Sequence, residues 1–419
     1  MMIWLHQTGE ALPIRPGVRK MRTALLANRL VDRGHHVVWW ASAFDHMSKR
    51  MLFREDIELP IRPGLTIHAL RGIPYSRNIT LTRYLDHRLV AEKFRRRAPG
   101  LPRPDVIVSA MPDYHLAYEA AQFARKKRIP ILIDIRDQWP DIFLQVIPPS
   151  FRGIARALLF DDFRKLRRTL TQADALISMM DPLLDWGLAR VGRSATWKDR
   201  VFYLGATRPK TDGAHPPGGR LTEILERSKN KFIVVFIGTF GSYANPLTIV
   251  RAAQLLNQST GPNSPFVFIV AGDGEHFEDV THAARNESNI FFPGWVREEE
   301  IAVLLSAASV GVIPSNQPVN AFPNKAFVYL SAGLPILASV EGDLKHYIDQ
   351  REIGMHFPPN DHVRLAEHVR TLADHPRLRQ DLAKNSRTLF NEKLDADTIY
   401  TSYADHIEKV VSANRDARS

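Results

Sequence analysis

The chain has 419 residues, 44% of them hydrophobic, too long for one ordinary core and suited to two domains that each bury an interior. It contains no Cys, which excludes a disulfide framework, a thiolate zinc site and a cysteine nucleophile, and fits a reducing compartment such as the cytoplasm. The formal net charge of +11 is uneven: residues 1–200 hold 34 Lys+Arg against 20 Asp+Glu, and the remaining 22 Lys+Arg meet 25 Asp+Glu.

The opening MMIWLH is apolar for only a few residues, and no run of about eighteen apolar residues occurs anywhere, so neither a signal peptide nor a spanning helix is expected. MIWLH reads as a first strand. Pro16-Gly17-Val18-Arg19 then leads into a helix from Met21 to Arg33, a loop-into-helix arrangement that either lies near a substrate or is a plain turn. HHVVWWAS, TIHAL, DVIVSA, PILIDI and ALISM read as further strands, with a helix from Leu116 to Lys127 among the connections. That alternation predicts a parallel sheet with helices on both faces.

Directly after PILI come Asp134, Arg136, Asp137 and Asp141, where side chains emerge from the carboxyl edge of the sheet. Three carboxylates beside an arginine suit binding of acceptor hydroxyls or a leaving group, or else make a salt-bridged turn. Phe151 to Leu170, with Phe94-Arg95-Arg96-Arg97, mixes apolar residues with cations. Such a segment is either an interfacial helix at a lipid surface or a covering helix with a basic outer face. Together with the basic first half it points to an anionic partner, nucleic acid or the inner membrane surface, the alternative being a solubilising charge.

Gly205 to Asn230, dense in Pro and Gly, is the expected linker. Beyond it the pattern restarts: FIVVFIG, a helix through Pro246 to Asn257, FVFIVAG, a helix near His276 to Arg285, NIFFPG, a helix through Glu298 to Ala307, VGVIPS and PILAS. Four loops follow these strands: Gly238-Thr239-Phe240-Gly241, Gly272-Asp273-Gly274-Glu275, Gly294-Trp295-Val296, and Asn320 to Lys325. The last opens straight into a helix whose first free N–H groups and positive dipole end suit a phosphate or diphosphate, with Asn324 and Lys325 at its entrance. No spacing of His, Asp or Glu supports a metal site, so none is expected. After His362 the chain is helical again, and Ala396 to Ala413 makes a terminal helix.

The segments GEALPIRPGVRKMRTALLANRLVDRGHHVVWWASAFDH, DIRDQWPD, IVAGDGE, FFPGWVREEEI, VGVIPS and FPNKAFVYLSAGLPILAS, in this order, resemble the retaining nucleotide-sugar glycosyltransferases of family 4, in the fucosamine-type amino-sugar transferase branch of polysaccharide assembly. The resemblance implies an α/β protein with two facing Rossmann-like, doubly wound domains (the GT-B architecture) and a last helix crossing back to the first. The domains fall at 1–205 for the acceptor, 206–395 for the nucleotide sugar, and 396–419 for the crossing helix. It also implies a UDP-sugar or another nucleoside-diphosphate donor as substrate, no tightly bound cofactor, and a lipid-diphosphate-linked saccharide as acceptor. The setting it implies is capsule or O-antigen synthesis at the cytoplasmic face of the membrane, with the protein expected to be peripheral there. No nucleic-acid partner is expected, since the positive charge is joined to no recognition motif.

The resemblance further places Gly17 in the glycine loop facing the donor and the loop after Gly238, beginning at Thr239, by the diphosphate; Gly272 belongs to the four strand-end loops that together could enclose a nucleotide. Gly294, Trp295 and Val296 fall in the loop holding the base. Asp137 falls near the polar residue beside the reacting sugar, with Arg136 as its neighbour. Two glutamates eight positions apart are usual in the family, the first at the donor sugar and the second at the ribose. Here Asn320 and Val328 stand in those places, and Thr239-Phe240-Gly241-Ser242-Tyr243 replaces a loop that commonly supplies Arg and Lys. Asn320 still hydrogen-bonds a hydroxyl, whereas Val328 has no polar atom to do so, and Lys325 is left to carry more of the diphosphate charge. Two alternatives follow from the departures: a nonenzymatic relative that binds a nucleotide or a partner, and a sugar-nucleotide epimerase on the same fold.

Overall fold

The structure, a computed structural model, describes residues 1–15, 18, 20–145, 147–208, 219–241, 243–261 and 263–416. The chain divides into two compact units, Met1–Tyr203 with Ile399–Ser419, and Leu204–Thr398.

In the first unit the strands are β1 (Met2–His6), β2 (His36–Ser42), the short β3 (Phe44–Asp45) and β4 (Arg50–Met51), β5 (Ile57–Arg62), β6 (Leu65–Leu70), β7 (Val106–Met111), β8 (Ile131–Ile135), β9 (Ala175–Ser178) and β10 (Arg200–Val201). Apart from the β3–β4 ribbon they form one sheet in the order β10-β9-β8-β7-β1-β2-β6-β5. Val106–Met111 is buried at every position, as a central parallel strand covered on both faces must be. On one face Trp4 stacks on Phe123 (5.5 Å between centroids) and Trp40 meets Phe94 edge-on (4.9 Å), joining the sheet to the helices Leu81–Arg97 and Tyr114–Lys127.

The wholly parallel sheet expected from the sequence needs one correction. β5 runs antiparallel to β6. Its sequence IELPIR lacks the continuous apolar run of a covered strand because it lies at the sheet edge, where only one side pairs and Pro60 is tolerated. The expected helix from Phe151 to Leu170 is also broken, at Leu159, into Arg152–Leu158 and Phe160–Gln172.

The second unit holds β11 (Phe232–Ile237), β12 (Phe266–Ala271), β13 (Ile290–Gly294), β14 (Val310–Ile313), β15 (Ile336–Ala338) and β16 (Gly354–His356), all parallel, in the order β13-β12-β11-β14-β15-β16. The three-residue β16 has no sequence signal of its own. Within the expected linker, Arg220–Arg227 is a helix that buries Leu221 and Ile224, and residues 209–218 lie outside the described residues.

The terminal helix runs Ala396–Asp416. From Ile399 on it belongs to the first unit, where Tyr403 stacks flat on Phe202 (4.5 Å), the His406 ring meets the Lys198 carbonyl (2.8 Å) and Glu408 pairs with Arg33 (3.1 Å). Among the described residues no helix is long and apolar enough to cross a membrane. The α/β class with two Rossmann-like units is borne out.

Candidate functional site

In the second unit the loops after β11, β12 and β13 are knitted through their backbones. The Gly238 N–H donates to the Ala271 carbonyl (3.0 Å), Gly272 to Gly294 (2.8 Å) and Phe240 to Asp273 (3.0 Å). Such close approach requires glycine: a Cβ on Gly272, at φ +139°, would lie 1.8 Å from the Gly238 carbonyl oxygen. Phe240, fully buried, packs edge-on against Phe236 and Phe277 (5.8 and 5.3 Å) and anchors the first loop, leaving Thr239 exposed beside it.

The helix Asn324–Ser331 begins after Pro323 with no side-chain cap, so its first amides and dipole are available to an anion. Its position is fixed by Tyr329, fully buried, whose hydroxyl accepts from the Ile237 N–H at 2.9 Å where β11 ends. Sequence reasoning passed over Tyr329. The signal was its i+4 spacing from Lys325 on the same helix face.

The Lys325 ammonium lies 4.0 Å from the centroid of the Phe236 ring, so near Gly238 that a Cβ there would come within 2.8 Å of Nζ. Burial pulls its amine down to about 8, and no carboxylate pairs with it among the described residues. A cation held this way, against an aromatic face and beside helix amides without a side-chain cap, has the chemistry to meet an anion. Asn324 is exposed at the helix start, and Val328, one turn on, is half-buried.

Asn320 is exposed, its segment held by paired backbone bonds to Glu341 (3.0 and 2.9 Å). Trp295 is 72% exposed while its neighbour Val296 is buried, and the following helix is capped by Arg297 and Glu300. The structure thus brings Gly238, Gly272, Gly294 and Lys325 together at one sheet edge, with Thr239, Asn320, Asn324 and Trp295 exposed around them.

In the first unit Gly17 lies outside the described residues. The helix start that follows it is not left uncapped in the same way, because the Glu10 carboxylate already accepts from the Thr23 N–H at 2.9 Å and from its hydroxyl at 3.0 Å. Arg136 bonds that same Glu10, together with Asp134 (2.9 Å) and the Thr23 hydroxyl (3.0 Å). Asp134, fully buried, is also bridged by Arg22 through two bonds (2.9 and 3.0 Å). Asp137 accepts from the Gln138 N–H (2.8 Å) and the Trp139 indole (3.2 Å), and burial raises its pKa. Asp141 pairs with Arg190. The four charged residues read together from sequence therefore disperse into a buried network, a self-capped loop and a separate ion pair.

A second cluster gathers where β1, β7 and β8 end. The Arg83 guanidinium lies 4.4 Å from the Trp139 ring centroid with its Nε unpartnered, and the His87 ring is 5.5 Å from that indole. Asp113 accepts from the Leu116 N–H (3.0 Å) and the Thr8 hydroxyl (3.3 Å), and Asp86 from the Ile73 N–H (2.7 Å). Burial pushes Asp86 up to about 6 and Asp113 from its ordinary 3.8 to about 7.

An acid raised in the folded state adds stability at low pH that is lost as pH climbs through the folded value. Asp113→Asn, which keeps the helix cap, is therefore expected to gain stability over the parent at pH 8 and little at pH 4. Thermal unfolding at the two pH values checks this, and parallel shifts of both proteins would refute it.

Comparison with known proteins adds the following. Residues 220–389 match the family described as Glycosyl transferases group 1. The chain is 24% identical over 200 residues to the D-rhamnosyltransferase WbpZ of Pseudomonas aeruginosa, covering 48% of this chain and 50% of that one. It is 29% identical over 147 residues to the UDP-Gal:alpha-D-GlcNAc-diphosphoundecaprenol alpha-1,3-galactosyltransferase of Escherichia coli, covering 34% and 36%. The match therefore spans half or less of these curated relatives. The structure of Anabaena Alr3699/HepE in complex with UDP superposes with a TM-score of 0.66 over 97% of this chain and 99% of that one, at 14% identity. The fold is accordingly that of the GT-B glycosyltransferases, and residues 220–389 of the second unit carry the glycosyl transferases group 1 match.

Proposed function

We propose that this protein is a retaining glycosyltransferase that moves a sugar, an N-acetylated amino sugar by its resemblance, from a nucleoside diphosphate to a lipid-diphosphate-linked saccharide in cell-surface polysaccharide synthesis. The observation that carries this reading is the Lys325 ammonium, with no carboxylate partner among the described residues, at the uncapped start of the Asn324–Ser331 helix and beside the glycine loops. The similarity to a transferase named for UDP-Gal and a diphosphoundecaprenol acceptor, and to a fold bound to UDP, supports the donor and acceptor classes.

In the proposed reaction the bond from the anomeric carbon to the diphosphate breaks as the acceptor oxygen attacks the same face. The acceptor's proton passes to the departing phosphate, and no protein nucleophile takes part. Lys325 and the helix amides meet the charge that develops on the leaving group, a form of stabilisation in which fixed donors count for most. Gly294, Trp295 and Val296 flank the base, and Asn320 and Asn324 the sugar and phosphate; in the first unit Asp137 takes, by the resemblance, the role of the polar residue that acts on the reacting sugar. Arg136, engaged by Glu10 and Asp134, acts as a positioning residue. The first unit, rich in Lys and Arg, docks on the anionic inner face of the membrane, and vesicle binding is expected to weaken as salt rises.

Titration calorimetry with UDP tests the donor half of the reading, and an absence of heat with every nucleoside diphosphate would leave a partner-binding module in its place. Val328→Glu restores the acceptor missing at the ribose position and is expected to tighten UDP binding about tenfold, the share of one hydrogen bond to a charged group. Unchanged or weaker binding in that variant would move the ribose elsewhere. Conversion of donor without acceptor would instead favour an epimerase.

A further inference from the structure

The two helices Arg152–Leu158 and Phe160–Gln172 leave an unusual surface on the first unit. Phe151, Ile154, Leu158 and Phe160, on either side of the break at Leu159, are 59%, 62%, 80% and 69% exposed. Four large apolar side chains standing out in ten residues is more than a soluble surface ordinarily shows. Residues 152–172 also hold six Arg and Lys against two Asp.

Beside them a cavity of about 420 Å³ is lined by Arg156, Arg167, Arg190, Phe160 and Phe163. The Arg156 and Arg190 guanidinium groups both lie near the Phe163 ring, 5.6 and 5.8 Å from its centroid, which gathers two cations over one aromatic face. Asp161 pairs with Arg164 and Lys165, and Asp141 with Arg190. Neither Arg156 nor Arg167 has a carboxylate partner among the described residues. The neighbouring helix Leu81–Arg97 is tied alongside by the Tyr84 hydroxyl to Asp162 (3.2 Å), and it exposes Leu81 and Leu85 as well.

A pocket of planar cations over an aromatic floor, rimmed by exposed apolar side chains, matches a molecule with an anionic phosphate head and hydrocarbon tails. We propose that this cavity holds the phosphate of one anionic phospholipid, with Phe151, Ile154, Leu158 and Phe160 inserted among the acyl chains. The inference rests on the membrane part of the proposed function and turns a diffuse basic surface into a discrete site. Because Arg190 pairs with Asp141 at the end of the loop that starts at Arg136, lipid in the cavity would lie close to the residues proposed to meet the acceptor.

The test uses the full chain with vesicles of phosphatidylcholine, alone or mixed with phosphatidylglycerol. Wild type is expected to co-sediment with the mixed vesicles and not with the neutral ones. Arg156→Gln with Arg167→Gln should lower that binding roughly 30-fold, the share of two cations at a charged surface. Leu158→Asp with Phe160→Asp should abolish it. Soluble dihexanoyl phosphatidylglycerol should compete at concentrations where inorganic phosphate does not. Equal binding of the arginine variant and wild type would overturn the site, and so would competition by phosphate alone. A dimer that dissolves in the aspartate variant would show that a second copy of the chain covers the patch. UDP calorimetry on the same variants is expected to match wild type, so failure of the lipid site is distinct from failure of the donor reading.

Discussion

Lys325→Ala is expected to weaken UDP binding by roughly 10- to 150-fold, since a hydrogen bond to a charged group contributes about 1.5–3 kcal/mol. Turnover of donor sugar should fall further, about 10²- to 10³-fold, because charge grows on the diphosphate as the glycosidic bond breaks. The pH dependence carries the same signature. With the free amine at about 8, wild-type affinity should decline as pH rises past that value and the cation is lost, whereas the alanine variant should show no such decline. A control for folding is available in thermal unfolding, because the side chain also packs over Phe236. If the variant stays folded and binds UDP as wild type does, the diphosphate does not rest at this helix.

Asp134→Ala is expected to be the most destabilising single change in the first unit. The carboxylate is fully buried and is shared by Arg22 and Arg136, themselves mostly buried, and these two arginines hold its pKa below the ordinary carboxylate range against the opposing effect of burial. Removing it leaves the buried Arg22 with no counterion and Arg136 with Glu10 alone, and breaking a buried pair in this way costs about 3–5 kcal/mol. Against a total stability of about 5–15 kcal/mol that loss is large enough to unfold the unit near physiological temperature. Urea titration of the full chain, followed by the tryptophans of the first unit, measures it. A loss under about 1 kcal/mol would mean that water reaches the arginines and that the network is not dry.

The parts of this molecule that were legible in its sequence are those set by local pattern. Runs such as FIVVFI and FVFIVA declare buried parallel strands by themselves, and the glycines after them mark where the chain must pass close to another backbone. What escaped depends on partners far away in sequence. β5, IELPIR, is short, holds a proline and lacks a continuous apolar run, and it exists because β6 pairs with it. Arg136 stands two residues from Asp134 and looked available for chemistry, yet Glu10, 126 residues earlier, occupies it. The cluster of Arg83, Asp86, His87 and Asp113 has no spacing that sequence inspection would join, since helix and strand ends 30 residues apart meet only through the sheet order. Tyr329 read as an ordinary apolar helix residue, although its hydroxyl sets where that helix begins relative to β11.

Ile399 and the residues after it complete the first unit, while Leu204–Thr398 lies between them and the rest of that unit as one unbroken stretch. During synthesis, then, the second unit can finish folding on the ribosome while the first still lacks the helix that stacks on Phe202 and pairs with Arg33. A nascent chain stalled after Thr398 would carry one complete lobe and one with an open flank, which makes that interval the time at which a chaperone has most to bind.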